Sequence, residues 1–296
     1  MRISVVILSY NSGIAMRATI ESAARISDDI YVVDSFSSDD TCAVARACGA
    51  KVIEHEFTNY GAQRNWAIEQ LPMKYRWELH LDADELLSEK LIAELEDLER
   101  HGVPSHINGY HVPRLVRFLG RPIRHGGMFP IWHMRLFRRG KGRCEEREYD
   151  QHFLVASPTA KLCGPIVDDI RMPLREWVSR HNRWSDAAVR DLLRNATTGR
   201  TLRADLFGSP LERKRCLKSL YNRLPPFARA CLLFSYRYIV RLGFLDGKEG
   251  AVFFFLQTFW FRFLIDAKLF EHGLRKPGEA APQRRAGGVL ASPPQH

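Results

Sequence analysis

At 296 residues with 45% hydrophobic content, the chain is long enough for one large domain, or a domain with an appendage, around a sizeable core. Its formal charge of +10 is uneven: residues 1–99 carry 9 Lys+Arg against 18 Asp+Glu, and the remainder carries the basic excess. An acidic first third and the lack of any RNA- or DNA-binding motif exclude nucleic acid as the expected partner, while a basic second part suits phosphate or anionic lipid. Six cysteines at positions 42, 48, 144, 163, 216 and 231 form no C-x-x-C pair and no zinc spacing. They read as reduced thiols of a cytosolic protein. The apolar run Ile3 to Leu8 is too short for a signal peptide, and no small-residue cleavage site follows.

That run, Ile3-Ser4-Val5-Val6-Ile7-Leu8, reads as a strand buried on both faces of a parallel sheet. Ser9-Tyr10-Asn11-Ser12-Gly13 ends it with turn chemistry, and a helical pattern follows through Ile26. Ile30 to Val33 predicts a second strand closing in Asp34-Ser35. Ser37 to Thr41 offers N-caps for a helix through Cys48, Gly49 suits its end, and Lys51-Val52-Ile53 is a third strand. Strands alternating with helices imply a parallel α/β sheet, and the missing G-x-G-x-x-G argues against a dinucleotide-binding domain. Gly61 to Ile68 opens another helix, on which Arg64 is placed to face a phosphate near the sheet edge.

Trp77 to Leu81 then runs into Asp82-Ala83-Asp84-Glu85. Asp-x-Asp after an apolar strand puts two hard carboxylates at the sheet edge where open α/β folds bind ligands, which suits Mg²⁺ or Mn²⁺ with a nucleotide diphosphate. The same residues read equally as an acidic loop capping a helix from Leu86 to Arg100.

Taken in order, V-V-I-L-S-Y-N, V-V-D-S-x-S-x-D-x-T, G-A-x-R-N and L-D-A-D-E resemble a family 2 glycosyltransferase of the GT-A fold. The resemblance is strong over residues 1–100. It extends more loosely to about residue 275, where the chain resembles the bacterial subgroup that builds lipopolysaccharide core, capsule or exopolysaccharide. It implies a mixed, mostly parallel sheet with helices on both faces and a C-terminal helical appendage. It also implies inverting transfer of a sugar from a nucleotide-diphosphate donor to a hydroxyl of a lipid-linked or lipopolysaccharide acceptor. Ser9, Tyr10 and Asn11 match the turn that cradles the nucleotide base. Asp34, with Ser35 after it, matches the acidic position that contacts uracil or ribose. Arg64 and Asn65 match the pair beside the nucleotide. Asp82 and Asp84 match the metal-binding Asp-x-Asp, with Asp84 in direct contact with the metal. One departure is that many members have Asp-Asp-Gly-Ser where this chain has Asp34-Ser35-Phe36-Ser37.

Further along, Gly109 to Arg114 reads as a strand returning to the sheet, and Trp132 to Phe137 as a strand with one wet face that, in the subgroup resembled, shapes the acceptor side of the cleft. Inverting transfer needs a base for the acceptor hydroxyl. By position the resemblance points to Asp150, with Glu146, Glu148 and Asp168 as alternatives, although Gln151 stands where relatives carry Glu. Pro173 to Leu193 predicts a helix whose Trp177, His181 and Trp184 lie on one face, an arrangement that is more often core than ligand site. Between residues 212 and 275 two apolar, aromatic runs alternate with Arg and Lys, and neither reaches the ~18–20 residues of a membrane span. They read as helices lying in a membrane interface. The expected organisation is therefore a catalytic domain over 1–210, a membrane-associating region over 211–275 and a disordered tail over 276–296. The enzyme is expected in the cytoplasm, peripheral on the inner face of the cell membrane. Two alternatives stay open: transfer to polyprenyl phosphate, and a catalytically silent membrane scaffold that keeps the nucleotide pocket.

Overall fold

The computed structural model describes residues 1–145, 151–198, 221 and 224–274. The chain divides into two compact units, one spanning Met1–Met172 and one beginning at Pro173.

In the first unit, β1 (Ile3–Ser9) pairs in parallel with β2 (Ile30–Asp34) on one side and β4 (Trp77–Asp82) on the other, and β3 (Lys51–Glu54) extends the sheet beyond β2. Every residue of β1 is buried because both faces are covered. Ile3, Val5 and Ile7 join Met16 and Ile20 of α1 (Gly13–Ala24), while Val6 and Leu8 join Ala67 of α3 (Tyr60–Gln70). Period-2 alternation thus splits one continuous apolar run between two cores. Helix α2 (Thr41–Ala47) packs beside α1.

The remaining strands are β5 (Glu85–Leu87), β6 (Gly109–Phe118), β7 (Arg121–Pro122), β8 (Ile131–Arg138), β9 (Gly142–Cys144), β10 (Phe153–Val155), β11 (Thr159–Lys161) and β12 (Ile166–Ile170). The sheet runs β3-β2-β1-β4-β8-β6-β12-β5, with β7 and β11 attached to β6 and a small β9–β10 pair apart. This path forces a curl. Asp82 ends β4 and Glu85 begins β5, so the link spans no more than about 11 Å. Yet β4 and β5 lie four steps apart in the sheet, about 19 Å if it were flat. The sheet bends until its fourth and last strands meet at the Ala83-Asp84 turn.

The start of the next helix corrects the sequence reading. Glu85–Leu87 is a strand paired antiparallel to β12, and α4 (Glu89–His101) begins only after Ser88, whose hydroxyl accepts from the Leu91 N–H at 3.2 Å. The acidic residues therefore do not cap that helix.

The second unit contains α5 (Leu174–Thr198), α6 (Ala228–Ser235), which continues through a π-helical turn at Tyr236–Val240, and α7 (Gly243–Leu274), which opens with a 3-10 turn at Gly243–Asp246 before Gly247 at φ +74. Trp177 and His181 of α5 stack at 3.5 Å, and His181 Nε2 lies 3.1 Å from Gln257 Oε1 of α7. Asp266 of α7 accepts from Arg229 Nε at 2.8 Å and from the Phe227 N–H at 2.7 Å. Because α5 packs on α7, the division falls at residue 173, earlier than the 210/211 boundary expected from composition. The second apolar run is longer than expected: Gly243–Leu274 is helical over 32 residues apart from the break at Gly247, where φ is +74, and passes for a membrane span by length and composition alone.

Candidate active site

Parallel pairing sets Ser9 opposite Asp34 and Leu8 opposite Asp82, which brings the carboxyl ends of β2, β1 and β4 side by side. The loops leaving β1 and β2 are stitched together there. Asp34 is fully buried and takes three hydrogen bonds: from the Ser9 hydroxyl at 2.7 Å, the Ser37 hydroxyl at 2.6 Å and the Ser37 N–H at 2.7 Å. The Asn11 N–H donates to Ser37 Oγ at 2.8 Å, and the Ser38 N–H donates to Asn11 Oδ1 at 2.8 Å. Ser35 donates its N–H to the Ser9 carbonyl at 2.9 Å. The backbone at Phe36 has φ +58, the left-handed region that favours glycine. The loop thus keeps a glycine-like conformation while presenting an exposed aromatic ring.

Three backbone groups of the Asp82–Asp84 turn are held by three different elements. Glu85 Oε2 accepts the Asp82 N–H at 2.9 Å, the Ala83 carbonyl accepts the Thr19 hydroxyl of α1 at 2.7 Å, and the Asp84 carbonyl accepts the Asp169 N–H of β12 at 3.0 Å. Side chains then form an alternating chain of charge across the curled sheet. Arg64 of α3 pairs with Asp82 Oδ1, and Arg135 of β8 pairs with Asp82 Oδ2 at 3.0 Å and Glu85 Oε1 at 2.7 Å. Arg114 of β6 lies 3.8 Å from Glu85 Oε1 and pairs with Asp168 of β12. Burial pushes the Glu85 carboxyl up to about 7, against the opposing pull of Arg135. Asp82, Glu85 and Asp168 are all buried, and such charges persist in a fold only when paired.

Arg64 is set by its own cage. Its Nη1 donates to the Leu81 carbonyl at 3.1 Å and lies 3.5 Å from His80 Nδ1, and its guanidinium sits 5.7 Å from the Phe153 ring. Because Arg64 only donates, His80 Nδ1 accepts and its Nε2–H donates to Glu78 Oε2 at 3.2 Å. Burial holds His80 well below its usual range and pushes Glu78 up to about 8, so the pair is neutral at pH 7.

Of the residues singled out in the sequence, Ser9, Asn11, Asp34, Ser35, Arg64, Asp82 and Asp84 gather at these strand ends, with Tyr10 in the same turn. Asn65 is occupied elsewhere: its amide donates to the Cys144 carbonyl at 3.0 Å and accepts the Cys144 N–H at 2.8 Å, tying α3 to β9. Asp150, the expected base, lies outside the described residues, as do its alternatives Glu146 and Glu148. Asp168, the other alternative, is paired to Arg114. Sequence reasoning missed Glu85, Arg114 and Arg135. Glu85 was visible only as the third carboxylate of its stretch, and the two arginines only as polar positions in otherwise apolar strands.

Among the described residues, no group of three or more His, Cys, Asp or Glu side chains could hold a metal alone. The donor set still fits Mg²⁺ or Mn²⁺ bound through a substrate. Such ions take one or two carboxylates and complete their oxygen shell with phosphates and water. Asp82 is neutralised by two guanidiniums, and the half-buried Asp84 is the second carboxylate of the turn.

Residues 4–144, just under half of the chain, match the family model for glycosyl transferase family 2. Uncharacterized glycosyltransferases of Rickettsia conorii and Rickettsia typhi are 40% identical over 95 residues and 33% identical over 119 residues. These stretches cover 32% and 40% of this chain and 33% and 40% of those relatives, so the match spans well under half of either protein. A mannosyltransferase from Pyrobaculum calidifontis, solved in complex with GDP-Man and Mn²⁺, aligns over 92% of this chain and 86% of its own. Its TM-score is 0.50 at 14% identity, a likeness of fold. With a mixed α/β sheet flanked by helices and a C-terminal helical region, the fold is GT-A-like.

Proposed function

We propose that the chain is a metal-dependent, inverting glycosyltransferase that moves a sugar from a nucleotide-diphosphate donor to a hydroxyl of a lipid-linked or lipopolysaccharide acceptor at the inner face of the cell membrane. The observation that carries this reading is the Asp82-Ala83-Asp84 turn, pinned at the carboxyl edge of a GT-A-like sheet beside the interlocked Ser9–Asn11 and Asp34–Ser37 loops. The matched family domain and the Mn²⁺ and nucleotide sugar of the similar mannosyltransferase support it. Exposed apolar and basic residues of the second unit favour a membrane-borne acceptor.

In this reading the two loops receive the nucleoside, with Asp34 fixing their shape. Arg64 and Arg135 hold the Asp82 carboxylate in one orientation and cancel its charge, so an anionic diphosphate meets a turn less negative than its sequence suggests. A divalent cation held by Asp84, with Asp82 behind it, would stabilise charge on the departing diphosphate. The acceptor proton is assigned to Asp150.

A thermal-shift screen of nucleotide sugars with Mn²⁺ or Mg²⁺, followed by product analysis, tests the proposal. A ligand that binds only the folded state raises the melting temperature. A shift with one donor class, followed by a glycosidic product, supports it. Lack of any shift or transfer across donors would reject it, and a phosphate-linked sugar would redirect it to polyprenyl phosphate.

A further inference from the structure

The turn joining α6 to α7 presents apolar side chains outward. Ile239 and Val240 are 59% and 66% exposed, and Tyr236, Leu242, Phe244 and Leu245 are exposed beside them. The backbone beneath is fixed. Arg241 N–H donates to the Tyr236 carbonyl at 2.8 Å, Leu242 N–H to the Ile239 carbonyl at 3.1 Å and Leu245 N–H to the Leu242 carbonyl at 3.0 Å. A Cβ on the buried Gly243 would lie 2.8 Å from the Phe254 ring and 2.9 Å from the Arg237 carbonyl. Glycine there lets the turn close onto Phe254, itself fully buried, and the apolar side chains are left on the outside.

A tip whose backbone groups bond internally meets the main requirement for entering a poorly hydrated layer. Its charge also has a sign. Arg241 and Lys248 are exposed at its sides, while Asp246, the only carboxylate between Tyr236 and Lys248, is buried. Apolar side chains on a convex turn, flanked by exposed cations, complement an anionic lipid interface.

We propose that residues 236–248 are a membrane-insertion tip, entering the headgroup layer of an anionic bilayer with Arg241 and Lys248 against lipid phosphates. The bilayer is engaged by the tip and not crossed by α7. Phe253, Phe254, Phe261 and Ile265 of that helix are buried in the fold, and its Asp266 is ion-paired with Arg229. The inference rests on the membrane part of the proposed function and is independent of sugar transfer, since vesicle binding needs neither donor nor acceptor.

The test is flotation of the full chain with phosphatidylcholine vesicles, with and without phosphatidylglycerol. The expected result is binding to the anionic vesicles, lowered about tenfold or more by the Ile239→Asp/Val240→Asp pair. Phe270→Asp, at an exposed position of α7 outside the tip, should leave binding unchanged. Thermal unfolding checks that the paired variant folds; should it not, Arg241→Glu/Lys248→Glu carries the same expectation. Three results overturn the proposal: undiminished flotation of the tip variants, equal loss in Phe270→Asp, or no binding by the wild-type chain. Resistance of bound protein to alkaline carbonate extraction would replace it with a spanning α7.

Discussion

Arg135 reaches Asp82 Oδ2 at 3.0 Å from a strand 53 residues further along the chain, and the same guanidinium nitrogen donates to Glu85 at 2.7 Å. One cation therefore serves the first carboxylate of the Asp-x-Asp and the carboxylate that begins the next strand. Asp82→Asn leaves Arg64 and Arg135 buried against a neutral amide. The expected cost is about 3–5 kcal/mol, the range for breaking a buried pair from one side, read as urea unfolding at pH 7. A loss within 1 kcal/mol, typical of exposed pairs, would mean the network does not bear on stability.

Asp84 should behave in the opposite way. It is half-buried, and the turn is held through its backbone carbonyl. Asp84→Ala is expected to abolish sugar transfer at saturating Mn²⁺ while the urea midpoint moves little, because the bond from Asp169 N–H survives the substitution. Retained transfer would remove Asp84 from the metal role.

The Glu78–His80 pair gives a pH signature. Glu78 ionises near 4.5 when unfolded and at about 8 in the fold, where burial disfavours its charge. Below 4.5 both states hold the proton. Between 4.5 and 8 the unfolded chain releases a proton that the folded chain retains, so this group lowers stability as pH rises through that window. Glu78→Gln removes the effect at similar volume. Its melting temperature should match wild type near pH 4 and exceed it increasingly toward pH 8, by about 2–4 kcal/mol of stability. A constant difference across pH would show that the carboxyl is ionised in the fold.

Gly61 lies in the first turn of α3, where a Cβ would lie 2.3 Å from the Glu145 carbonyl oxygen. That contact is backbone, so Gly61→Ala must displace either α3 or the segment after β9. The expected cost is about 1–3 kcal/mol in unfolding experiments, with weaker donor binding because Arg64 rides on the same helix. A neutral effect would show that the segment yields freely.

The sequence made the first half of the site legible because its signals are local. Ile3–Leu8 is apolar at consecutive positions, since helices cover both faces, and the turn residues that follow lie within four positions of the strand. Asp82 and Asp84 were legible by the same logic. The arginines behind them were not. Arg114 and Arg135 reach the carboxylates because β6 pairs with β12 and β8 pairs with β4, and no pattern within one strand reports which distant strand will lie beside it. Asn65 shows the converse: its motif suggested a ligand contact, while its amide bridges to the Cys144 backbone. The boundary at residue 173 was hidden for a similar reason, since α5 is assigned to its unit by packing on a helix about eighty residues later.

The turn at Ala83-Asp84 also has a place in time. Its carbonyls are claimed by Thr19, far upstream, and by Asp169, far downstream. A chain growing from its amino terminus exposes all of the Asp-x-Asp long before β12 exists to receive it. The candidate site's edge therefore matures after most of the first unit has been synthesised, and an amino-terminal fragment ending before β12 would carry every residue of the motif without its folded shape.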